Sequence, residues 1–369
     1  MTRSDDEQPL RDLREELERR LEAAVYDLLE SCKASNWSLL RRRLPDAVLG
    51  GGKRLRPLMF LTVIRAGGRV LDLPAWDAAV GMELLHSFAL LHDDVIDGSQ
   101  RRRGRPSFHC AAAAELRQVA QSETAGMGLA VLAGDILYAG AMARFQHLKV
   151  PDSMRDRVLR ILTETALRTA GGVFREVESR AMRLGELDAP TLERISAEKT
   201  AEYTFVCPLR LGAILARLAS GPEATLARAG RRMGVAYQLR DDLDDLDAFL
   251  GGREEAAGMS LSETLTMLPV FLTYRAANTR EKTWLEELYL KGRADEDARL
   301  QLRTILDEYG TRARVERRIG ELFTRAVHAL RLAKLSSEGT ASLADVWRGL
   351  LRLPDPQEIP SREGTACHG

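Results

Sequence analysis

Two short stretches of this sequence concentrate carboxylates in otherwise apolar surroundings. The first is Leu91-His92-Asp93-Asp94-Val95-Ile96-Asp97; the second is Tyr237-Gln238-Leu239-Arg240-Asp241-Asp242-Leu243-Asp244-Asp245. On a helix, residues four apart lie about 40° from one another and one turn apart. Asp93 and Asp97 therefore share a side, with Asp94 adjacent. Asp241, Asp242 and Asp245 repeat that i, i+1, i+4 spacing, and Asp244 adds another acid, which leaves open which of them would face a metal. Carboxylates crowded on one face repel each other and resist burial unless a cation joins them. Hard divalent ions do so, and Mg²⁺ favours few carboxylates with phosphate oxygens and water. One such cluster alone reads equally well as a solvated acidic face; two copies, each in leucine-rich helix, favour a metal. Calcium is the weaker alternative, because neither cluster has the glycine-bearing loop of an EF-hand.

Basic groups flank the first cluster. Before it stands Gly50-Gly51-Gly52-Lys53-Arg54-Leu55-Arg56-Pro57. Glycines let backbone approach an anion, and Lys53 and Arg56 add charge and forked donors. This is not a phosphate loop of the Walker type, since Arg54 occupies the Ser/Thr position and the leading glycine is missing. After the cluster stands Arg101-Arg102-Arg103-Gly104-Arg105-Pro106. Its arginines could simply neutralise the neighbouring aspartates. Taken together, these groups describe a site that binds one diphosphate through Mg²⁺ and a second anion directly. His86 precedes Asp93 by two turns, about 20° off its azimuth and roughly 10 Å along the axis. In this setting it is a donor to the second anion; alone it would read as a packed histidine.

The elements that must hold these residues are helices. Leu10 to Lys33, Ala78 to Asp97, Gly128 to Leu148 and Asp156 to Ala170 are rich in Ala, Leu, Arg and Glu, all good helix formers. Strand alternation is scarce. Pro45, Pro57, Pro74, Pro106, Pro151 and Pro190 fall where helix breaks are expected. No repeat period and no linker divides the chain, so one helical domain over residues 9–353 is expected, between a disordered start (1–8) and a disordered tail (354–369). Gly251 to Gly258 reads as a polar loop.

Composition narrows the class further. Of 369 residues, 54 are Lys or Arg and 54 are Asp or Glu, giving zero net charge. Nucleic-acid binding, which wants a basic excess, is disfavoured. Cys32, Cys110, Cys207 and Cys367 show no zinc spacing, and reduced thiols in a cytoplasmic protein are expected. The charged N-terminus is unlike a signal peptide. Apolar runs such as Leu265 to Tyr274 are too short to span a bilayer as helices, so no membrane span is expected.

From Leu49 to Leu272 the chain resembles the polyprenyl synthetase family of trans-prenyltransferases, which includes the farnesyl and geranylgeranyl diphosphate synthases. The likeness rests on GGKRLRP, ELLHSFALLHDDVIDGSQRRRGRPSFH, LAGDILYA (132–139), EKTA (198–201) and GVAYQLRDDLDD (234–245). It implies an all-α bundle of long antiparallel helices around a deep apolar pocket, usually a homodimer. By this resemblance Asp93, Asp97 and Asp241 would hold Mg²⁺ on an allylic diphosphate, with Asp94, Asp242 and Asp245 in the same motifs. Lys53, Arg56, His86 and Arg103 would clamp isopentenyl diphosphate. Arg102, Lys199, Thr200 and Gln238 match positions that contact the allylic diphosphate. No side-chain base is needed, because the departing diphosphate can take the proton.

The likeness weakens after Asp245. Glu255 stands where the family carries a lysine, Ser260 where it carries an aspartate, and Leu265 where it carries a second lysine. Glu255 would repel an anion; a Glu255→Lys variant with unchanged activity would show that it does not face the allylic site. Phe88 and Ala89, five and four residues before Asp93, match the pattern that in the family accompanies a geranylgeranyl (C20) product. Rival readings are a farnesyl diphosphate synthase, a class I terpene cyclase on the same fold, a non-catalytic partner of another synthase, and a plain helical interaction protein. A cyclase would not need Lys53, Arg56 and His86, and an interaction protein leaves the matched acidic helices unexplained.

Overall fold

A computed structural model describes residues 4–33, 37–118, 120–252 and 261–354. The chain is all-α. In order, the first helices are α1 (Ser4–Ser31), α2 (Ser38–Leu49), α3 (Leu55–Ala66) and α4 (Leu73–Ile96). A small hairpin of β1 (Arg101–Arg102) and β2 (Arg105–Pro106) follows, then α5 (Phe108–Glu115), α6 (Ser122–Gln146) and α7 (Asp152–Ser179). Next come α8 (Ala189–Ser196), a π-helical segment (Ala197–Val206), α9 (Cys207–Leu215) and α10 (Ser220–Leu250). The chain continues through α11 (Leu261–Thr266), α12 (Leu268–Ala276), α13 (Thr279–Lys291), α14 (Glu296–Glu308), α15 (Thr311–Arg331) and α16 (Ser337–Leu351).

Two apolar cores hold these helices. One gathers α1, α4 and α6 around Leu17, Leu21, Phe60, Val80 and Phe145; the other surrounds α10 with Phe205, Met233, Phe271, Ile319 and Trp347. α3 and α9 carry both faces. Met59 and Val63 enter one core while Phe60 and Ile64 enter the other, and Leu209 and Leu211 divide the same way. A helix apolar all round is a buried helix, and these two join the halves.

α4 changes character along its length. Asp72 caps its start by accepting from the Ala75 amide at 3.1 Å, and Pro74 occupies the first turn, where no amide donor is needed. Pro74 to Leu84 are buried except for Asp77, whereas Leu85, His86, Phe88, Ala89 and Leu90 are only half-buried. The second half thus borders open space while the first anchors it.

Several expectations need correction. Pro45 lies inside α2 rather than at a break. Its missing amide leaves the Arg41 carbonyl without its helical donor, and the helix ends one turn later at Leu49. α1 begins at Ser4, within the segment expected to be disordered, and α7 runs on to Ser179. Among the described residues α6 is long and apolar enough to cross a bilayer, contrary to the reading from uninterrupted runs. Its Gly and Ala residues and the isolated Asp135 and Arg144 hid that. α6 packs along α4 and α5, yet only 33% of its most apolar window is buried. Glu255, Ser260 and Cys367 fall outside the described residues; Cys32, Cys110 and Cys207 are free thiols.

Candidate active site

The hairpin is where local conformation first serves the site. Arg103 (φ 53°) and Gly104 (φ 75°) form its turn in the left-handed region, the geometry that tight hairpins require. Successive side chains then point to opposite sides. Arg102 turns to α4, donating from Nε to Asp94 Oδ1 at 2.7 Å and lying 3.8 Å from Asp93 Oδ2. Arg103 turns to the glycine stretch and donates to the Gly51 carbonyl. Gly51 (φ 91°) and Gly52 (φ 141°) adopt backbone that other residues rarely enter.

Both acidic clusters sit on helices as expected, α4 and α10. Asp93 is half-buried, and burial raises its pKa, with Lys199 pulling the other way. Asp241 is accessible to solvent yet hemmed in by protein, as a group on the wall of a recess must be. Burial and the Asp244 charge raise its pKa, against Lys53 and Lys199. The Lys199 ammonium therefore acts on Asp93 of one cluster and Asp241 of the other. That shared cation brings the two clusters to one recess. Lys199 itself donates to Glu176 Oε2 at 2.6 Å, and the carboxylates of Glu176 and Asp93 raise its pKa despite burial.

The structure separates the acids by role. Asp94 is buried and engaged by Arg102. Asp242 is buried too and accepts from Gln238 Nε2 at 2.8 Å, while Thr200 donates to Gln238 Oε1 at 2.6 Å. Burial pushes Asp242 up to about 7 and Asp245 up to about 6. Asp244 is held by Arg352. Asp97 accepts from Arg180 at 3.0 Å.

Lys199 and Thr200 lie on the π-helical segment, a geometry that often marks functional sites. Two glycines make room for it. A Cβ on Gly172 of α7 would fall 2.8 Å from the Lys199 amide nitrogen, and one on Gly234 of α10 2.3 Å from Ala201.

A second, cationic pocket lies beside the acids. Arg56 donates to Thr204 Oγ1 at 2.7 Å and stacks over Tyr203 at 4.4 Å. Arg56 Nε, His86 Nδ1 and Tyr203 Oη are buried without a hydrogen-bond partner. Burial, then Arg56 and Arg103, hold the His86 pKa well below its ordinary value, so its ring is neutral near pH 7. Buried donors left unpaired beside guanidinium groups are what an anion would satisfy. Lys53, at its edge, is exposed. Residues 38–306 match the polyprenyl synthetase family.

The chain belongs to that family. It is an isoprenyl diphosphate synthase, a trans-prenyltransferase. Among its relatives is the geranylgeranyl diphosphate synthase of Methanosarcina mazei, 29% identical over 291 residues, spanning 78% of this chain and 81% of that protein. The geranylgeranyl diphosphate synthase of Mycobacterium tuberculosis is 33% identical over 64% of this chain and 63% of its own length. A Corynebacterium glutamicum geranylgeranyl pyrophosphate synthase, solved with isoprenyl diphosphate and magnesium, shares the fold. The TM-score is 0.78, at 24% identity over 91% of this chain and 98% of that one.

Does the site of this polyprenyl synthetase suit a divalent cation? Asp93, Asp97, Asp241, Asp245, Glu176 and Glu263 outnumber the cations among them, Lys199 and Arg180, with Arg102 and Lys53 at the margins, and burial raises several of these acids. Such a donor set fits a hard cation. Among the described residues no three His, Cys, Asp or Glu side chains form a ready cage, so Mg²⁺ would take its remaining ligands from phosphate and water.

Sequence reasoning missed Glu176, Arg180 and Tyr203, each a single residue in an otherwise unremarkable helix. It also took Arg54 as an incidental departure from a phosphate loop. Arg54 is buried, donating to Glu83 at 2.9 Å, to Glu18 at 2.8 Å and to the Val48 carbonyl at 3.0 Å, so it secures the glycine stretch to α1 and α4. Leu265, where a lysine was expected, is fully buried in the core.

Proposed function

We propose that the chain condenses isopentenyl diphosphate with an allylic diphosphate to give geranylgeranyl diphosphate, with Mg²⁺ as cofactor. The observation that carries this reading is the shared cation: Lys199 lies within the field of both Asp93 and Asp241, beside the unpaired donors Arg56 and His86. A carboxylate recess next to a cationic pocket suits one diphosphate bound through a metal and another bound directly.

Asp93, Asp97, Asp241 and Asp245 would hold the metal. Asp94 and Asp242 orient Arg102 and Gln238 instead, which with Lys199 and Thr200 would meet the allylic diphosphate. Lys53, Arg56, His86 and Arg103 would bind isopentenyl diphosphate. Mg²⁺ held by these carboxylates would supply stabilisation of the charge on the departing diphosphate. The allylic C–O bond breaks with its electron pair leaving on the diphosphate. The isopentenyl double bond supplies the electrons of the new C–C bond, and the proton lost from the adduct passes to that diphosphate. Neutral His86 donates to the bound anion and need not act as a base.

Product length rests on α4. Phe88 packs edge-on against His92 at 4.6 Å and against Tyr138 of α6 at 5.3 Å, and Ala89 lies next to it. This braced ring supports a floor at C20. A homodimer is supported by α6, which leaves Met127, Val131, Leu132 and Tyr138 exposed; a second copy is the occupant that such a face favours.

The test is direct. The purified chain is incubated with Mg²⁺, isopentenyl diphosphate and, in turn, dimethylallyl, geranyl and farnesyl diphosphate, and products are identified by mass. C20 diphosphate is expected. Hydrocarbons from an allylic substrate alone would instead mean a cyclase, and no product with any starter would mean a silent partner subunit.

A further inference from the structure

We infer that Arg180 is a diphosphate-binding residue of this site, standing at its mouth on the allylic side. The inference deepens the functional reading above and rests on it. Arg180 closes α7, and its guanidinium bridges three elements. Nη1 donates to Asp97 Oδ1 at 3.0 Å, and Nη2 lies 3.2 Å from Glu263 of α11 and 3.5 Å from Glu176 one turn back. Nε is buried and has no partner. Tyr289 of α13 fixes the backbone beneath it, donating to the Arg180 carbonyl at 3.2 Å and the Met182 carbonyl at 3.0 Å. The base of the side chain is thus held while its head faces the acids.

Two features separate this arrangement from ordinary neutralisation of surface charge. First, the guanidinium shares Asp97 with the metal that the site is built to take. Once Asp97 ligates a divalent ion, part of its charge is drawn to the metal and its hold on Nη1 weakens, while Nε has no acceptor already. A half-buried guanidinium left with free donors beside a metal-bound phosphate will turn them to the phosphate oxygens, for which its planar fork is suited. Second, α11 itself supplies no cation. Leu261 and Leu265 of α11 point into the core and Glu263 points to the mouth. Apart from Arg102, which is engaged by Asp94, the close cation on this side is Lys199, and it lies on Glu176, the carboxylate that Arg180 also approaches. The two cations flank one acid and present a pair of positive groups to the space between α4 and α10.

The experiment compares the full chain with Arg180→Gln and Arg180→Lys. Steady-state KM is measured separately for the allylic diphosphate and for isopentenyl diphosphate, and calorimetry measures binding of inorganic pyrophosphate in the presence of Mg²⁺. Arg180→Gln is expected to raise the allylic KM and the pyrophosphate Kd about 10- to 100-fold, the loss of hydrogen bonding to a charged group. The isopentenyl KM should stay within about twofold, and Arg180→Lys should recover part of the loss. Unchanged allylic KM and pyrophosphate Kd would overturn the inference, as would equal changes in both KM values, which mark a purely structural role. If the chain transfers no prenyl group, the functional reading fails, and the pyrophosphate titration still decides on Arg180. A chain that binds no pyrophosphate with Mg²⁺ overturns both.

Discussion

Arg352, just past the end of α16, grips Asp244 of α10 with both arms of its guanidinium, at 2.9 Å to Oδ1 and 2.8 Å to Oδ2. This pairing removes one of four candidate acids from the second cluster. Asp241 and Asp245 remain turned to the recess, and Asp242 is committed to Gln238. Asp244→Asn should therefore cost less than about fivefold in kcat/KM, since an exposed ion pair contributes little. Asp241→Asn and Asp245→Asn should each cost at least about 100-fold, several kcal/mol of lost metal-assisted charge stabilisation. Steady-state kinetics at saturating Mg²⁺ checks the ranking. If Asp244→Asn proved as damaging as Asp241→Asn, the assignment would be wrong.

The buried acids also set a pH dependence. Asp242 at about 7 and Asp245 at about 6 lie above the ordinary carboxylate value, so between roughly pH 4 and 7 the folded metal-free chain binds more protons than the unfolded one. Their contribution to stability is present at the acid end of that window, falls as pH rises through it, and is level above. A divalent ion needs the carboxylates ionised. The rise in unfolding temperature caused by Mg²⁺ with pyrophosphate should accordingly be larger near pH 8 than near pH 5.5. Scanning calorimetry with and without chelator makes the comparison. His86, protonated in the unfolded chain below about 6.5, contributes with the opposite sign, so Asp245→Asn isolates the acid effect. A metal-induced shift of equal size at both pH values would refute the account.

Much of this site is legible in sequence because its main parts are local. The i, i+1, i+4 acids lie within one turn of a leucine-rich helix, so spacing alone puts Asp93 and Asp97 on one side. What stayed hidden depends on distant partners. The role of Asp244 is set by Arg352, 108 positions away. Glu176 and Arg180, on the otherwise amphipathic α7, read as a solvated i, i+4 pair, and only packing turns them to the recess. The hairpin escaped notice because strands of two residues, Arg-Arg and Arg-Pro, carry no alternation. Pro45 misled because a single proline removes one backbone bond, which the rest of α2 tolerates through the packing of Leu44 and Val48.

Gly234 tests how tightly the π-helical segment is held. A Cβ there would fall 2.3 Å from Ala201, inside any real contact, and α10 is too well packed to retreat freely. Gly234→Ala should destabilise the chain by about 1–3 kcal/mol through overpacking and displace Lys199 and Thr200 with the segment. Denaturant titration should show the midpoint falling with an unchanged slope, and the allylic KM should rise. Gly171→Ala, where the new methyl would meet only the end of the Arg175 side chain, is the control and should stabilise by about 0.5–1 kcal/mol, the ordinary preference of a helix interior for Ala over Gly. Equal stability of the two variants would mean that α10 yields readily.

Phe88 carries the proposal on product length. Its ring is braced by His92, whose Nε2 lies 3.1 Å from the Val131 carbonyl, and by Tyr138, and a Cβ on Gly134 would meet both His92 and Phe88. The ring therefore cannot swing aside for a growing chain without disturbing the contact between α4 and α6. Phe88→Ala removes the obstacle and opens about one helical turn of depth, roughly 5.4 Å, comparable with one isoprene unit. The expected outcome is a product longer by one or more units, seen by mass spectrometry after dephosphorylation. The consumption of the shortest starter should change little, because the diphosphate sites lie at the other end of the recess. Phe88→Tyr, which keeps the bulk, should leave the distribution as it was. A Phe88→Ala product of unchanged length would show that the ring is ordinary packing between α4 and α6, and that the floor lies elsewhere.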